Sequence, residues 1–557
     1  MSFILYPFLI AATLCLPTAA QVSWLGTVTA RPSAVQLAWE ARQVGMMITW
    51  NLQSACVPSG HPNASSQPCQ AGSYLPTLAS LSSWAPSINM TDWLSIGASF
   101  GARYAVLVVD HFSGFLLWPS AASGGAPSLA DTASPTPPDL VSAFAAAAAR
   151  QGLAPGYFYS VHCNWWAGVN NFVTGQRRWG STGAPLTPAQ YDTLASAQLA
   201  DLLAVAGAAS AAAAGPGGAP ASEIWFDAGI NSTLTPGIGA VVNKLAPNVV
   251  CHSCAGIDQR PGGVGVGLRW MGNEEAAMPL PNWGAVGQAY TPFAGDPEGP
   301  IYAPASCDTV LSEHHWFNAR NMQYDRDIRS TCSLASAYLT SVGRGCNLIL
   351  NLAPDFLGAV SSASRAAYAA LGAAAACLHA HPLGSASNLT LFSATSNPGG
   401  AAVWALPAPH PPTPCPGAAG QQCWSLALQL TEATAEAGQR IAAWGVQGCF
   451  EASGGSSCSS SSSSSGQWVQ LTGPGTLVPS NATVGIGARR WVRLQHRQAA
   501  APGAALVALR VAVGSAYQWG GQGGAPSGKA DLVLQQLQLF DWEPAQQCIA
   551  GCQLPVY

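Results

Sequence analysis

Glu223-Ile224-Trp225-Phe226-Asp227 is the stretch on which the reading of this chain turns. Isoleucine, tryptophan and phenylalanine in succession call for burial, and β-branched and aromatic side chains favour a pleated strand. Asp227 stands where that strand stops, before Ala228-Gly229. In parallel α/β proteins the C-terminal strand ends are where catalytic groups gather. Read alone, the segment is equally a strand followed by a turn-capping aspartate.

The flanking sequence repeats the pattern. Apolar strands are expected at Gly45 to Trp50, Tyr104 to Val109, Gly156 to Val161, Asn248 to Cys251, Gly267 to Met271 and Asn347 to Leu352. Helices are expected from an N-cap at Thr91 to Gly101, over Asp139 to Gln151, over Pro188 to Val205 and over Asp325 to Val342. Strand-then-helix order with continuously apolar strands implies a parallel sheet covered on both faces. About eight such units over about 350 residues fit an α/β chain built as a (β/α)8-type, TIM-like barrel.

The character changes near residue 380. His381-Pro382 and the proline-rich Pro407 to Pro416 read as boundary and loop. Short alternating runs follow at Trp424 to Leu430, Arg440 to Val446, Gln467 to Leu471, Trp491 to Gln495, Leu506 to Val513 and Ala530 to Phe540. They suggest an antiparallel β-sandwich. The serine tract Ser456–Ser465, broken by Cys458, reads as a loop within it. The expected division is a signal peptide (1–20), the barrel (21–380), the sandwich (381–545) and a tail (546–557).

Of the 557 residues, 49% are hydrophobic and only 8% charged, with a formal net charge of -4. No basic patch calls for nucleic acid and no acidic arm is present. The 20 tryptophans offer flat apolar surface suited to sugar rings, and equally to a core. Ile4 to Leu16 is an apolar run broken by Pro7, and Pro17-Thr18-Ala19-Ala20 supplies small residues before Gln21. This pattern is that of a secretory signal peptide. It places the chain outside the cell or in an endomembrane compartment such as a vacuole or lysosome. No later stretch reads as a membrane span. Sequons at Asn63, Asn89, Asn231, Asn388 and Asn481 fit an exported glycoprotein.

Cysteine usage agrees with export. Of 16 cysteines, Cys15 lies in the signal segment, and the odd remainder leaves one thiol unpaired or paired between chains. Cys449/Cys458 and Cys548/Cys552 are candidate local bridges. Cys251-His252-Ser253-Cys254 lacks a second Cys/His pair at zinc spacing, so it reads as structural.

A barrel with one carboxylate on a strand end invites a search for a second. Leu268-Arg269-Trp270-Met271-Gly272-Asn273-Glu274-Glu275 provides it, again just after a strand. A retaining glycosidase needs two such groups, about 5–5.5 Å apart. One attacks the anomeric carbon; the other protonates the leaving oxygen and then deprotonates water.

Several segments together resemble the family-29 α-L-fucosidases. Tyr104 to Ser120 (YAVLVVDHFSGFLLWPS) is similar to that family's histidine-bearing segment, and Glu223 to Asp227 to its nucleophile segment. Trp270 to Trp283 (WMGNEEAAMPLPNW) resembles the acid/base segment of the plant-like branch. Cys307-Asp308-Thr309, His315-Trp316-Phe317 and Ser341 to Pro354 resemble its closing segments, and Gly438 to Ile441 its C-terminal domain. The resemblance implies Asp227 as nucleophile and Glu274 as acid/base, with Glu275 as fallback. It places His111 against the sugar and makes Trp118, Trp225 and Trp316 candidate walls for the 6-deoxy methyl group. It implies no cofactor and no metal, and a fucosylated oligosaccharide or glycoprotein glycan as partner.

Three positions depart from the pattern. Thr49 and Phe112 stand where the family carries sugar-binding histidines, and Asp110 replaces a basic residue. His162, with Asn164 and Trp165, is the candidate compensation. The first reading is a secreted retaining exo-α-L-fucosidase. The alternatives are a catalytically impaired fucose- or glycan-binding protein on the same fold, or an exo-glycosidase for a fucose-like sugar such as L-galactose.

Overall fold

The computed structural model describes residues 23–55, 78–135, 138–176, 184–215, 218–254, 259–260, 264–287, 295–320, 323–392, 401–414, 421–432, 439–451, 467–472, 490–499, 505–519, 532–542 and 552. The signal segment, the sequons at Asn63 and Asn481, the serine tract and both local cysteine pairs (through Cys458 and Cys548) lie wholly or partly outside them.

Eight parallel strands close into a barrel in chain order. They are β1 (Val44–Ile48), β2 (Tyr104–Asp110), β3 (Ala154–Tyr159), β4 (Glu223–Trp225), β5 (Val250–His252), β6 (Gly267–Trp270), β7 (Ala305–Thr309) and β8 (Asn347–Leu352). Leu348 pairs with Val44 and Leu352 with Ile48, which closes the ring. Strands such as β2 and β8 are buried along their whole length, as runs of valine, leucine and isoleucine predict for strands covered on both faces.

One barrel strand escapes the hydrophobic pattern. β7 is Ala-Ser-Cys-Asp-Thr, every residue buried, and its composition carries no apolar signal. Smaller corrections concern helix ends. The helix expected from Thr91 spans Met90–Ser99, capped by Asn89, whose side chain accepts from the Asp92 N–H. The single helix expected over 325–342 divides into a 3-10 turn, Tyr324–Asp327, and a helix, Thr331–Ser341.

Pro188–Ala214 is longer than its sequence reading. Thr187 and Gln190 form a reciprocal capping box, with Pro188 in the first turn. An 18-residue window of this 27-residue helix has a mean hydropathy of 1.4, long and apolar enough to cross a membrane by length and composition alone. Here it lies on the barrel, burying Tyr191, Leu199, Leu202 and Leu203.

The barrel interior is packed by Met47, Tyr104, Val106, Val108, Phe158, Trp225, Val250, Leu268 and Ile349. Within it, Glu223 accepts from Trp39 Nε1 at 2.7 Å and from Trp225 Nε1. Burial lifts this carboxyl to about 7, against the pull of those two indoles and of Arg42.

The C-terminal region forms two sheets. One joins Ala505–Trp519, Ile441–Glu451, Gln467–Gln470 and Ala401–His410; the other joins Pro382–Phe392, Leu532–Asp541, Gln421–Glu432, Thr413–Pro414 and Arg490–Ala499. Leucine and valine side chains of both sheets, among them Leu428, Leu494, Leu509, Val511 and Leu539, meet in one core. His381-Pro382 and Pro407 to Pro416, expected as boundary and loop, fall partly within strands of this sandwich, Pro382–Phe392, Ala401–His410 and Thr413–Pro414. The first sheet also contains Ser23–Val28, paired in parallel with Ser515 to Trp519, so the chain enters the fold through its C-terminal unit.

The two units are joined by direct contacts. Trp491 and Phe540 stack at 5.2 Å, and His379 of the barrel presents its ring to both at 5.0 and 5.6 Å. Gln439 accepts the Gly284 N–H at 2.7 Å.

Disulfides join Cys251 to Cys254, Cys307 to Cys346 and Cys332 to Cys552. The Cys251/Cys254 pair is therefore a crosslink, as the structural reading required. Cys163 is a buried free thiol.

Candidate active site

The C-terminal ends of the barrel strands bring most of the candidate residues together. A collar of rings lines the mouth. His111 lies against Phe158 (5.6 Å), Phe158 against Trp225 (6.5 Å), and Trp225 stacks on His252 at 3.5 Å and 9°. Trp270 follows at 6.5 Å from His252, and Phe317 packs edge-on to His111 at 5.0 Å. Apart from Phe317, which lies in the loop after β7, each ring stands near or just past the end of a strand, because consecutive parallel strands place equivalent positions side by side.

Asp227 follows β4, its backbone turned out of the strand by Ala228 at φ +51° and Gly229 at φ +88°. A non-glycine residue at positive φ is uncommon and costs free energy, and such residues cluster at functional sites. The Asp227 carboxylate lies 3.8 Å from His162 Nδ1, beyond hydrogen-bond reach but within ion-pair range. Burial raises its pKa; His162 and the Ala228 N–H pull the other way, and Glu274 adds to the rise.

Glu274 follows β6 on a loop in which Gly272, Glu274 and Ala276 all adopt positive φ (+67°, +52° and +54°). This conformation exposes the Glu274 side chain. Its Oε2 accepts Trp316 Nε1 at 3.0 Å. Glu275, the fallback, points to a different partner: Arg329 holds its Oε2 at 2.5 Å. The neighbouring glutamates thus take different partners, Glu274 the Trp316 indole and Glu275 the Arg329 guanidinium.

His111 donates or accepts through one free nitrogen. Gln53 Nε2 donates to Nδ1 at 3.1 Å, which puts the ring proton on Nε2. Burial, with His162 adding, pushes its pKa down to about 3, so the imidazole is neutral. Its neighbour His162 meets Phe112 edge-on at 5.1 Å.

Trp118 is placed elsewhere. Its indole donates to Asp201 at 2.9 Å, a carboxylate on the Pro188–Ala214 helix that also takes Ser120 Oγ at 2.7 Å. It is 1% exposed in the layer between barrel and helices, away from the collar. Asn164 is likewise inward, bonded to the Ala167 N–H at 2.9 Å.

Thr49 is a strut. Its hydroxyl donates to the Trp316 carbonyl and accepts Asn351 Nδ2 at 2.5 Å, while Asn351 also donates to Trp316 O at 2.8 Å. The position thus fixes the loop that carries Trp316. Three residues of the site were not singled out from sequence: Trp270, His252 and Asp308. His252 was masked by its CxxC context, and Asp308 by a strand without apolar signal.

Residues 81–207 match the family model described as Alpha-L-fucosidase. Over this segment the chain is similar to the α-L-fucosidase family. Among the curated proteins, it is 26% identical over 297 residues to one from Oryza sativa subsp. japonica, covering 50% of this chain and 48% of that protein. It is 23% identical over 286 residues to alpha-L-fucosidase 1 of Arabidopsis thaliana, covering 49% of each. The chain spans about half the length of the curated relatives it matches. A solved structure from Bacteroides thetaiotaomicron superposes with a TM-score of 0.64 at 19% identity, covering 92% of this chain and 99% of that chain. A Ruminococcus gnavus GH29 fucosidase in complex with fucose superposes with a TM-score of 0.60 at 13% identity, covering 95% and 99%. These likenesses establish a shared architecture. The family-model match takes in β2, β3 and His111, while Asp227 and Glu274 lie beyond it.

Proposed function

We propose that this protein is a retaining exo-α-L-fucosidase that removes terminal fucose from glycans through a covalent fucosyl-enzyme intermediate. The observation that carries the reading is the pairing of Asp227 and Glu274 on the strand ends of one barrel mouth, with Glu275 diverted to Arg329.

In the first step Asp227 attacks the anomeric carbon while Glu274 protonates the glycosidic oxygen, and the aglycone leaves. In the second, the Glu274 carboxylate takes a proton from water, which displaces Asp227 and releases fucose with retained configuration. Attack requires an ionised Asp227, and His162 with the Ala228 N–H favours that form. The Trp316 N–H engages one Glu274 oxygen and leaves the other for proton transfer. Trp225 and Trp316 supply apolar surface for the 6-deoxy methyl group, and His111 Nε2–H supplies a donor for a sugar hydroxyl. The disulfides fit an oxidising compartment, which supports export to the cell exterior or an endomembrane lumen.

The test is turnover of 4-nitrophenyl α-L-fucoside and of a fucosylated trisaccharide. The wild-type chain turns over at least one of them. Asp227→Ala loses activity by about 10³-fold or more, and azide restores turnover with a product of inverted configuration. Fucose binding by a wild-type chain that turns over neither substrate would replace this reading with that of a glycan-binding protein.

A further inference from the structure

Three carboxyl groups, Asp227, Glu274 and Asp308, end or follow strands at the same end of the barrel, and the double-displacement scheme uses two. The third, Asp308, stands near the end of β7 with a side chain 3% exposed. Its Oδ1 accepts Trp270 Nε1 at 2.8 Å. Trp270 ends β6, four residues before Glu274. The backbones are stitched together as well: the Ala276 N–H donates to Asp308 O at 3.1 Å, and Glu275 pairs with Thr309. The loop that presents Glu274 is therefore anchored on Asp308-Thr309 along its backbone and through Trp270.

We propose that Asp308 is a third carboxyl group of the catalytic centre, a positioning residue that fixes Trp270 and the Glu274 loop and whose charge is felt in the pH profile of activity. This rests on the fucosidase reading above. Burial lifts the Asp308 carboxyl to about 7; the Trp270 N–H opposes the rise, and Glu274 and Asp227 add to it. The other groups facing this cluster are His162 beside Asp227, His252 between Trp225 and Trp270, and Glu275 with its partner Arg329. His252 is neutral, its pKa pushed down to about 3 by burial, and the charge of Glu275 is balanced by Arg329. Asp308 gains its charge near neutrality. Once it is ionised, its charge adds to those of Asp227 and Glu274.

The experiment compares wild type with Asp308→Asn, which keeps an oxygen to accept from Trp270. Two readouts are used: kcat/KM against pH on 4-nitrophenyl α-L-fucoside, and the ¹⁵N-indole resonance of Trp270, assigned with Trp270→Phe. The variant's alkaline limb moves to lower pH by about half a unit to one unit, with KM changed less than kcat. The Trp270 resonance titrates near neutrality in wild type and not in the variant. A uniform drop in kcat/KM with an unmoved pH profile would reduce Asp308 to a structural residue. So would a Trp270 resonance that shows no wild-type titration. A wild-type chain without turnover whose Trp270 resonance still titrates near neutrality would sink the fucosidase reading and leave the carboxyl cluster standing.

Discussion

At the scale of single residues, Glu274 and Glu275 show how neighbours with one chemistry acquire two roles. A one-residue step along a loop at positive φ turns one side chain toward Trp316 and the other toward Arg329. Replacing them should separate proton transfer from stability. Glu274→Gln lowers kcat/KM on a fucosylated trisaccharide by about 10²- to 10⁴-fold, and far less on a nitrophenyl fucoside, whose leaving group departs without a proton. Glu275→Gln retains kcat within about tenfold but lowers the melting temperature, because it deprives the nearly buried Arg329 of its partner. The reverse ranking on the trisaccharide would exchange the two assignments. Asp227 and Glu274 were legible as carboxylates at strand ends. Trp118 was misplaced because an indole in a loop after a strand looks the same whether it faces a ligand or Asp201.

At the scale of elements, the end of β1 supports the site without entering it. Thr49 and Asn351 clamp the Trp316 carbonyl from two strands that close the barrel. Thr49→Val keeps the shape but leaves Asn351 without that acceptor, at a cost of about 1–3 kcal/mol. Its expected signature is a lower melting temperature together with a raised KM for the fucoside, and an unchanged KM would separate the clamp from sugar binding. β4 carries a second expectation. The Glu223 carboxyl is raised to about 7 in the folded chain, from the ordinary value of about 4.3 in an unfolded one. Its favourable contribution is complete below the unfolded value and is lost as pH rises through about 7. The wild-type melting temperature should therefore fall between about pH 4 and 8, and Glu223→Gln should flatten that slope; equal slopes would remove Glu223 as the cause. Most barrel strands were readable because both their faces are apolar. β7 was not, since it packs Ser306, Cys307, Asp308 and Thr309 through a disulfide and hydrogen bonds. Pro382–Phe392 and Ala401–His410 were hidden by proline, alanine and serine, whose local signal is that of a loop.

At the scale of the whole molecule, the barrel is held on a sandwich to which both ends of the chain contribute. His379 sits between Trp491 and Phe540, Gln439 reaches Gly284, and Cys552 is bonded to Cys332 on a barrel helix. Removing residues 23–28 strips a strand from the edge of Ala505–Trp519. The expected result is a lower melting temperature with kcat preserved, measured by thermal unfolding and by turnover on the same preparation. Loss of kcat at a temperature where the truncated chain is folded would show that the sandwich acts on the site. Sequence could not reveal this pairing, because nothing local to Ser23–Val28 names a partner so distant. The same pairing also puts a clock on folding. Ser23 emerges first, and its partner Ser515 follows about 490 residues later, which at about 5–20 residues per second is roughly half a minute to a minute and a half of synthesis. For that interval the whole barrel can be made and closed while its leading strand waits, edge unpaired, for a sheet that does not yet exist.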